Sequence, residues 1–321
     1  MQFDVFNGDA DGICALIQLR LEQPADAQLV TGIKRDIGLL ERVQAQPGDS
    51  ITVLDISLEK NLNALIRVLD QGATVLYVDH HRPGDIPRHP SLTTLIDTDP
   101  DICTSLLVDR SLQGRYRLWA IAAAFGDNLD RQASQLAAEL SLSESRIEQL
   151  KRLGVCINYN GYGSRIEDLH FSPDTLYLEM ARYTSPFDFI VDNTSIYLQL
   201  VDGYHEDLSK AQRIASEYST ESIAVFILPD EAWSRRVGGV FANELANTYP
   251  NRAHAILSHN DSGGYLVSVR APLCNKTGAD ELCSAFPSGG GRKAAAGINH
   301  LPIEQLPLFI DRLENQYCLP R

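Results

Sequence analysis

The residues best suited to chemistry are aspartates and histidines that follow short apolar segments in the N-terminal half. They are Asp9 and Asp11, then Asp55, then the run of Asp79, His80 and His81, with Asp127 after a later apolar helical stretch. Carboxylates brought together without cations repel one another, so such a cluster either has raised pKa values or holds metal ions. Mixed carboxylate and imidazole ligands favour manganese, magnesium or iron. Two such ions about 3.5–4 Å apart clamp a phosphate and activate a water between them.

The segments before these residues have the pattern of parallel strands. Residues 3–6, 50–56 and 73–78 are short apolar runs, and helical patterns over 12–21 and 60–69 separate them. Continuous apolar strands that alternate with helices are typical of a parallel sheet covered on both faces. The carboxyl ends of such strands line one edge of the sheet, where ligands bind. Each aspartate alone also fits a helix cap or a turn, so the prediction of a site rests on this convergence.

The pattern predicts an α/β protein of two domains. A parallel-sheet domain that binds metal covers residues 1–190, and a linker helix lies within 191–220. A smaller domain with a mixed sheet covers residues 221–321 and carries substrate contacts. Its strands are expected over 223–228, 253–258 and 265–270. Residues 131–152 predict a long helical stretch with a break at Ser141.

The composition favours a globular protein that acts on small substrates. The chain has 321 residues, with 28 Lys and Arg against 42 Asp and Glu, a net charge of −14. This charge disfavours a protein that tracks long nucleic acid by releasing counterions. No apolar run approaches the ~20 residues of a spanning helix. We see no export signal and no CxxC pair, so we expect a cytoplasmic protein with reduced thiols and no membrane association.

Four motifs, in this order, resemble those of the DHH phosphoesterases. They are FNGDADG at residues 6–12, VLD at 53–55, VDHH at 78–81 and GDN at 126–128. Residues 288–297 resemble the glycine-rich signature of the DHH-associated domain, and residues 267–270 resemble the substrate-facing strand of that domain. The superfamily includes the RecJ single-strand exonuclease, oligoribonucleases, phosphatases of phosphoadenosine phosphate, cyclic-dinucleotide phosphodiesterases and some polyphosphatases.

The resemblance implies a role for each matching residue. Two manganese ions would be held by Asp9, Asp11, Asp55, His80 and Asp127, with Asp55 as the bridge. His81 would contact the scissile phosphate, and Asp79 would orient an adjacent imidazole. In the second domain the substrate would be bound by Arg270, Gly289, Gly290, Gly291 and Arg292.

Two positions depart from the family pattern. Many members have a histidine four residues before the first aspartate of the first motif, where this chain has Val5. That change leaves one metal site without an imidazole. Many members also have a histidine after the three glycines, where this chain has Arg292. A guanidinium is a fixed cation that can form two parallel hydrogen bonds to a phosphate.

The expected activity is manganese-dependent hydrolysis of phosphodiester or phosphomonoester bonds in short nucleotides by a water that two ions activate. The alternatives are a polyphosphatase or small-molecule phosphatase, and a degenerate DHH module that binds without catalysis. The intact aspartate and histidine motifs speak against the last alternative, and Val5 speaks mildly for it. Expected partners are short nucleotides or other small phosphorylated substrates, not long duplex nucleic acid or membranes. A homodimer is left open.

Overall fold

A computed structural model describes residues 1–260 and 262–317 of the chain. Two compact units divide at α9, a helix over Thr194–Ala211. The N-terminal unit comprises Met1–Asp202 and the C-terminal unit comprises Gly203–Arg321. Across the described residues, no helix is both long enough and apolar enough to cross a membrane.

The N-terminal unit is built on a five-stranded sheet whose strands all run parallel. Its strands are β1 Gln2–Phe6, β2 Gln28–Val30, β3 Ser50–Leu54, β4 Thr74–Asp79 and β5 Leu92–Ile96. Their order across the sheet is β2-β1-β3-β4-β5. The helices are α1 Ala10–Glu22, α2 Leu58–Asp70, α3 Thr104–Ser111, α4 Arg117–Gly126, α5 Asp130–Glu139, α6 Glu144–Asn160, α7 Pro173–Met180 and α8 Pro186–Asp192.

Apolar side chains hold this sheet against its helices. Val5, Val53 and Tyr77 occupy the centre of one face, where they pack in one buried cluster with leucines of α2. On α1, nine consecutive residues from Ala10 to Gln18 are buried, and this helix contacts α3 and α4. The first helix, which begins shortly after β1, is therefore held in place by α3 and α4. The stretch predicted to break at Ser141 divides into α5 and α6, with Ser141 in the left-handed region at φ +53°.

The C-terminal unit has a six-stranded mixed sheet. Its strands are β6 Tyr218–Ser219, β7 Ile223–Ile227, β8 Ala253–His259, β9 Gly264–Arg270, β10 Gly289–Arg292 and β11 Ala295–Pro302. The order is β10-β11-β9-β8-β7-β6, with β7 and β8 parallel and the other neighbours antiparallel. The helices are α10 Ala232–Thr248, α11 Ala279–Ser284 and α12 Leu306–Tyr317. Apolar residues of α10 cover one face, and those of α11 and α12 cover the other. The predicted α/β class, with a parallel sheet followed by a mixed sheet, is confirmed.

Candidate metal centre

Asp9 begins the first helix and carries two different contacts. As the N-cap of α1, it accepts hydrogen bonds at Oδ1 from the backbone N–H groups of Asp11 (3.0 Å) and Gly12 (3.1 Å). Its other oxygen forms an ion pair with the ammonium of Lys34. Both oxygens of this buried carboxylate are thus engaged within the protein.

Asp11 joins the first helix to the third. Its carboxylate accepts hydrogen bonds from the backbone N–H groups of Thr104 (2.7 Å, at Oδ2) and Ser105 (2.6 Å, at Oδ1). These groups belong to the first turn of α3, where unpaired donors and the helix dipole favour an anion. Each carboxylate oxygen keeps a second lone pair, so Asp11 can hold an ion while it caps the helix.

Asp55 follows β3 in a conformation that few non-glycine residues adopt. Its backbone φ is +59°, in the left-handed region, and its N–H donates to the carbonyl of Val78 at 3.1 Å. Such a conformation costs on the order of 1–3 kcal/mol and is found mostly at functional sites. The buried Asp55 carboxylate accepts a hydrogen bond from the Thr104 hydroxyl at 3.1 Å. The turn therefore aims the carboxylate at the start of α3, beside Asp11.

His80 is oriented as a metal ligand. Its Nδ1 donates to the carbonyl of Ile102 at 3.0 Å, which requires a proton on Nδ1. Its Nε2 lies 3.5 Å from Oδ1 of Asp55 and 3.9 Å from Oδ2 of Asp11. A hydrogen bond that fixes one ring nitrogen and presents the other to acidic ligands is typical of metal-binding histidines.

His81 is paired with a carboxylate that is fully buried. Its Nδ1 lies 2.7 Å from Oδ1 of Asp79, while 46% of its side chain is exposed. The other Asp79 oxygen has no hydrogen-bond partner within the described parts of the chain. Burial tends to lower the pKa of His81, but the bond to Asp79 and the negative charges of Asp55 and Asp79 together outweigh it, so the pKa is raised. Asp79 thereby favours a protonated imidazole whose Nε2 is turned away from this bond.

Two groups of candidate ligand atoms share His80. Asp55, His80 and His81 form one, and Asp11, His80 and Asp127 form the other. Within each group all ligand atoms lie within 4.8 Å of one another. Together the two groups contain three carboxylates and two imidazoles, a donor set that suits Mn²⁺ or Mg²⁺. The residues present therefore fit the divalent metal that the motifs predict.

The charges of this cluster are not balanced by the protein alone. Burial and the neighbouring Asp55 raise the pKa of Asp11 to about 7. Burial and the neighbouring Asp9 raise the pKa of Asp55 to about 6, and burial also raises the pKa of Asp127. Burial would lower the pKa of His80, yet Asp55 and other carboxylates raise it to about 10. A divalent cation at this position would compensate the carboxylates and replace the proton on the imidazole.

Lys34 is a member of the cluster that the sequence reasoning missed. It follows the short edge strand β2, whose carboxyl end lies beside that of β1. Burial would lower the pKa of Lys34, but Asp9, Tyr162 and Asp127 raise it well above its ordinary value. Conversely, Lys34 lowers the pKa of Asp9 against the effect of burial. The sequence gives no clear signal for this lysine, because the strand before it has only three residues.

The residues predicted to bind substrate lie on the sheet of the C-terminal unit. Arg270 is half-buried at the end of β9, and its Nε donates to Oδ1 of Asn243 on α10 at 2.6 Å. Arg292 ends β10 and is exposed.

The three glycines of β10 differ in what the fold demands of them. A side chain at Gly289 would meet the carbonyl oxygen of Cys283 at 1.8 Å, and Gly291 has φ +144°. A side chain at Gly290 would find no atom within 4 Å among the described residues. Packing and backbone conformation therefore account for the outer two glycines, and Gly290 leaves its backbone open to an approaching group.

The structure brings together most of the predicted metal residues. Asp11, His80 and Asp127 form one group of candidate ligands, and Asp55 and His81 form the other with the same His80, whose ring centre lies 4.5 Å from that of His81. Asp9 lies in the same cluster, paired with Lys34. Asp79 lies behind His81. The catalytic and substrate-binding roles assigned to these residues stay predictions.

Comparisons with known proteins find the same fold. Neither a protein-family model nor a curated protein sequence matches the chain. Among solved structures, the exonuclease RecJ bound to manganese matches with a TM-score of 0.62 at 17% identity, over 98% of this chain and 89% of that one. A DHH domain described as a member of a family of ribosomal proteins gives 0.66 at 13% identity, over 98% and 85%. The pGpG-specific phosphodiesterase PggH of Vibrio cholerae gives 0.56 at 14% identity, over 98% of each chain.

These likenesses confirm the predicted resemblance at the level of the fold. The chain has the two-unit fold of DHH-domain proteins along nearly its whole length. The predicted motifs fall at the carboxyl ends of β1, β3 and β4 and directly after α4. The cluster of aspartates and histidines therefore lies at the edge of the sheet where ligands bind in open α/β folds.

Proposed function

We propose that this chain is a DHH-type phosphoesterase that uses Mn²⁺ to hydrolyse phosphodiester or phosphomonoester bonds of short nucleotides. One observation carries the proposal: Asp11, Asp55, His80 and Asp127 converge at the carboxyl edge of a parallel sheet in a fold shared with RecJ and PggH. The manganese in the RecJ structure and the dinucleotide specificity of PggH support this ion and this class of substrate.

In the proposed mechanism Asp11, Asp55, His80 and Asp127 would hold the metal, and neighbouring groups orient these four side chains. When bound, the ion lowers the pKa of a coordinated water and draws charge from the phosphoryl oxygens. The Ile102 carbonyl keeps the proton of His80 on Nδ1, so that Nε2 remains a ligand. Thr104 holds Asp55 through its hydroxyl.

We propose that His81 donates a hydrogen bond to the phosphate of the substrate. Its Nδ1 is occupied by Asp79, and its half-exposed ring leaves Nε2 available to donate a hydrogen bond to a phosphate oxygen. The buried Asp79 stabilises the protonated ring, in the way that a buried carboxylate supports an imidazolium in a catalytic triad. We propose that Arg270, Arg292 and the backbone of Gly289, Gly290 and Gly291 bind the remainder of the substrate. The exposed guanidinium of Arg292 suits a phosphate.

The test is a substrate panel on protein from which a chelator has removed metal. The panel contains pGpG, other dinucleotides, phosphoadenosine phosphate, cyclic dinucleotides and polyphosphate. We expect Mn²⁺ to restore hydrolysis of a short nucleotide and Mg²⁺ to restore it poorly. Faster hydrolysis of polyphosphate would identify the alternative phosphatase. Metal binding without turnover of any compound would identify a non-catalytic module.

Asp55→Asn provides the matched variant, because it keeps the shape of the side chain and removes its charge. We expect it to lose bound Mn²⁺ together with activity. Asp26→Asn changes an exposed aspartate in the loop before β2 and serves as the control. Full turnover by the metal-free protein, or a wild-type rate in Asp55→Asn, would contradict the proposal.

A further inference from the structure

The ammonium of Lys34 lies in a cage of oxygen atoms. It forms an ion pair with Oδ2 of Asp9, lies 2.8 Å from Oδ1 of Asn158 and lies 3.8 Å from Oδ1 of Asp127. The ring of Tyr162 closes another side, with its centre 5.5 Å from Nζ. Carboxylate and amide oxygens around one point are the ligands that hard divalent cations prefer. Here the charge at that point is supplied by the protein.

Several elements fix this lysine in position. Its backbone N–H donates to the carbonyl of Gly161 at 2.8 Å, and its carbonyl accepts from the side-chain amide of Asn7 at 3.2 Å. Asn7 and Gly161 flank the cluster at the end of β1 and the end of α6. Only 22% of the Lys34 side chain is exposed. The lysine is therefore held from both its backbone and its charged end, unlike a surface lysine.

Lys34 pairs with Asp9, which belongs to the same motif in which the histidine is missing. Two ions were predicted, with Asp9 among their ligands, yet Val5 stands where many DHH proteins have a histidine. The side chain of Val5 is fully buried in the core of the sheet and offers no ligand. Asp9 gives one oxygen to the N-terminus of α1 and the other to Lys34. The remaining candidate ligands fall into two groups that share His80. Because Nδ1 of His80 is bonded to the Ile102 carbonyl, both groups meet at its Nε2, and this one nitrogen provides for one ion.

We propose that Lys34 takes the place of the second metal ion, so that the chain binds one divalent ion and uses a lysine ammonium as the other cation. The inference rests on the proposed metal-dependent function and specifies its centre. Asp127 faces both cations, since its carboxylate belongs to the ligand group of His80 and also approaches Nζ. A permanent charge at this position neutralises Asp9 and gives the phosphate a second positive neighbour without a second binding event.

The test is the number of Mn²⁺ ions bound per chain, measured by equilibrium dialysis with elemental analysis and by titration calorimetry. We expect one ion on the wild-type protein, with the electron paramagnetic resonance signal of an isolated Mn²⁺. Lys34→Met removes the charge and keeps a long apolar stem, so Asp9, Asn158 and Asp127 become available. We expect this variant to bind two ions. Lys60→Met, which changes an exposed lysine on α2, is the control and should bind one.

The outcomes separate this inference from the proposed function. If the wild-type protein bound two ions with the electron paramagnetic resonance signal of an exchange-coupled pair, a metal would displace the Lys34 ammonium. The inference would then be wrong. A folded Lys34→Met variant, verified by circular dichroism, that still binds one ion would also overturn it. No ion on the wild-type protein would instead refute the metal-dependent function itself.

Discussion

Mild acid should destabilise the C-terminal unit through His254. This residue lies on β8, is fully buried, and has no hydrogen-bond partner for either ring nitrogen among the described residues. Burial, together with the nearby Arg252, lowers the pKa of His254 from 6.5 to about 4. The native protein therefore keeps this ring neutral at a pH at which the unfolded chain protonates it.

The sign and size of the effect follow from that difference in pKa. Well above pH 6.5 neither state is protonated, and the full stability is present. As the pH falls from 6.5 towards 4, protons bind preferentially to the unfolded chain, and stability is lost. At 1.36 kcal/mol per pKa unit, the loss between pH 7 and pH 5 is about 2 kcal/mol. The residue is paired across the sheet with Arg270, so the same strands that carry this proposed substrate residue are weakened.

The measurement is urea unfolding at pH 7 and pH 5, followed by tryptophan fluorescence. The two tryptophans are Trp119 and Trp233, and a Trp119→Phe background leaves Trp233 on α10 as the reporter of the C-terminal unit. In that background, His254→Leu should remove about 2 kcal/mol of the pH dependence. His205→Leu replaces an exposed histidine on α9 and controls for the loss of a histidine as such. If the His254→Leu protein loses as much stability between pH 7 and pH 5 as its parent, the reasoning is refuted.

Three further predictions concern the site. Asp79→Asn should lower kcat by about 10–100-fold while Mn²⁺ content stays unchanged, because it weakens the support of His81 without removing a proposed ligand; loss of the metal would contradict this. Arg292→Ala should raise KM and leave Mn²⁺ content unchanged, with Lys276→Ala, at another exposed cation of the same unit, as its control; wild-type kinetics would show that Arg292 does not bind substrate. Oligonucleotides of two to about five residues should be cleaved faster than long strands at equal concentrations of ends, since a chain of net charge −14 lacks the basic track that long strands need; equal rates at low and near-physiological salt would refute the charge argument.

Much of the metal centre could be predicted because its strands lie inside the sheet. The strands β1, β3 and β4 have neighbours on both sides, so each appears in the sequence as an apolar run that ends at an aspartate or histidine. The strand β2 has three residues at the edge of the sheet, too few to show a period, so the sequence does not indicate the loop that follows it. Lys34 depends on a partner 124 residues away, Asn158, and a lysine in a loop is ordinarily a solvated surface residue.

In the C-terminal unit, too, contacts between residues far apart in the sequence could not be predicted. The strand that carries Arg270 was evident from its apolar pattern, but the hydrogen bond from its guanidinium to Asn243 depends on how α10 packs on the sheet. Similarly, the motif of three glycines does not reveal that two of them are required by packing and backbone conformation. The distinction appears only when Cys283 and Ala296 are seen against this strand.

The helix caps made by the first motif affect how its evolution should be interpreted. Asp9 caps α1 and Asp11 caps α3, and loss of such a cap costs about 0.5–2 kcal/mol whether or not a metal is bound. A lineage that abandoned catalysis would thus still be selected to retain both aspartates for folding. The presence of Asp9 and Asp11 in such a descendant would reflect helix capping and would not be evidence of catalysis. His81 caps no helix, but it is the hydrogen-bond partner of the buried Asp79, so replacement of the two residues together would be the earlier mark of a lineage that had become a pseudoenzyme.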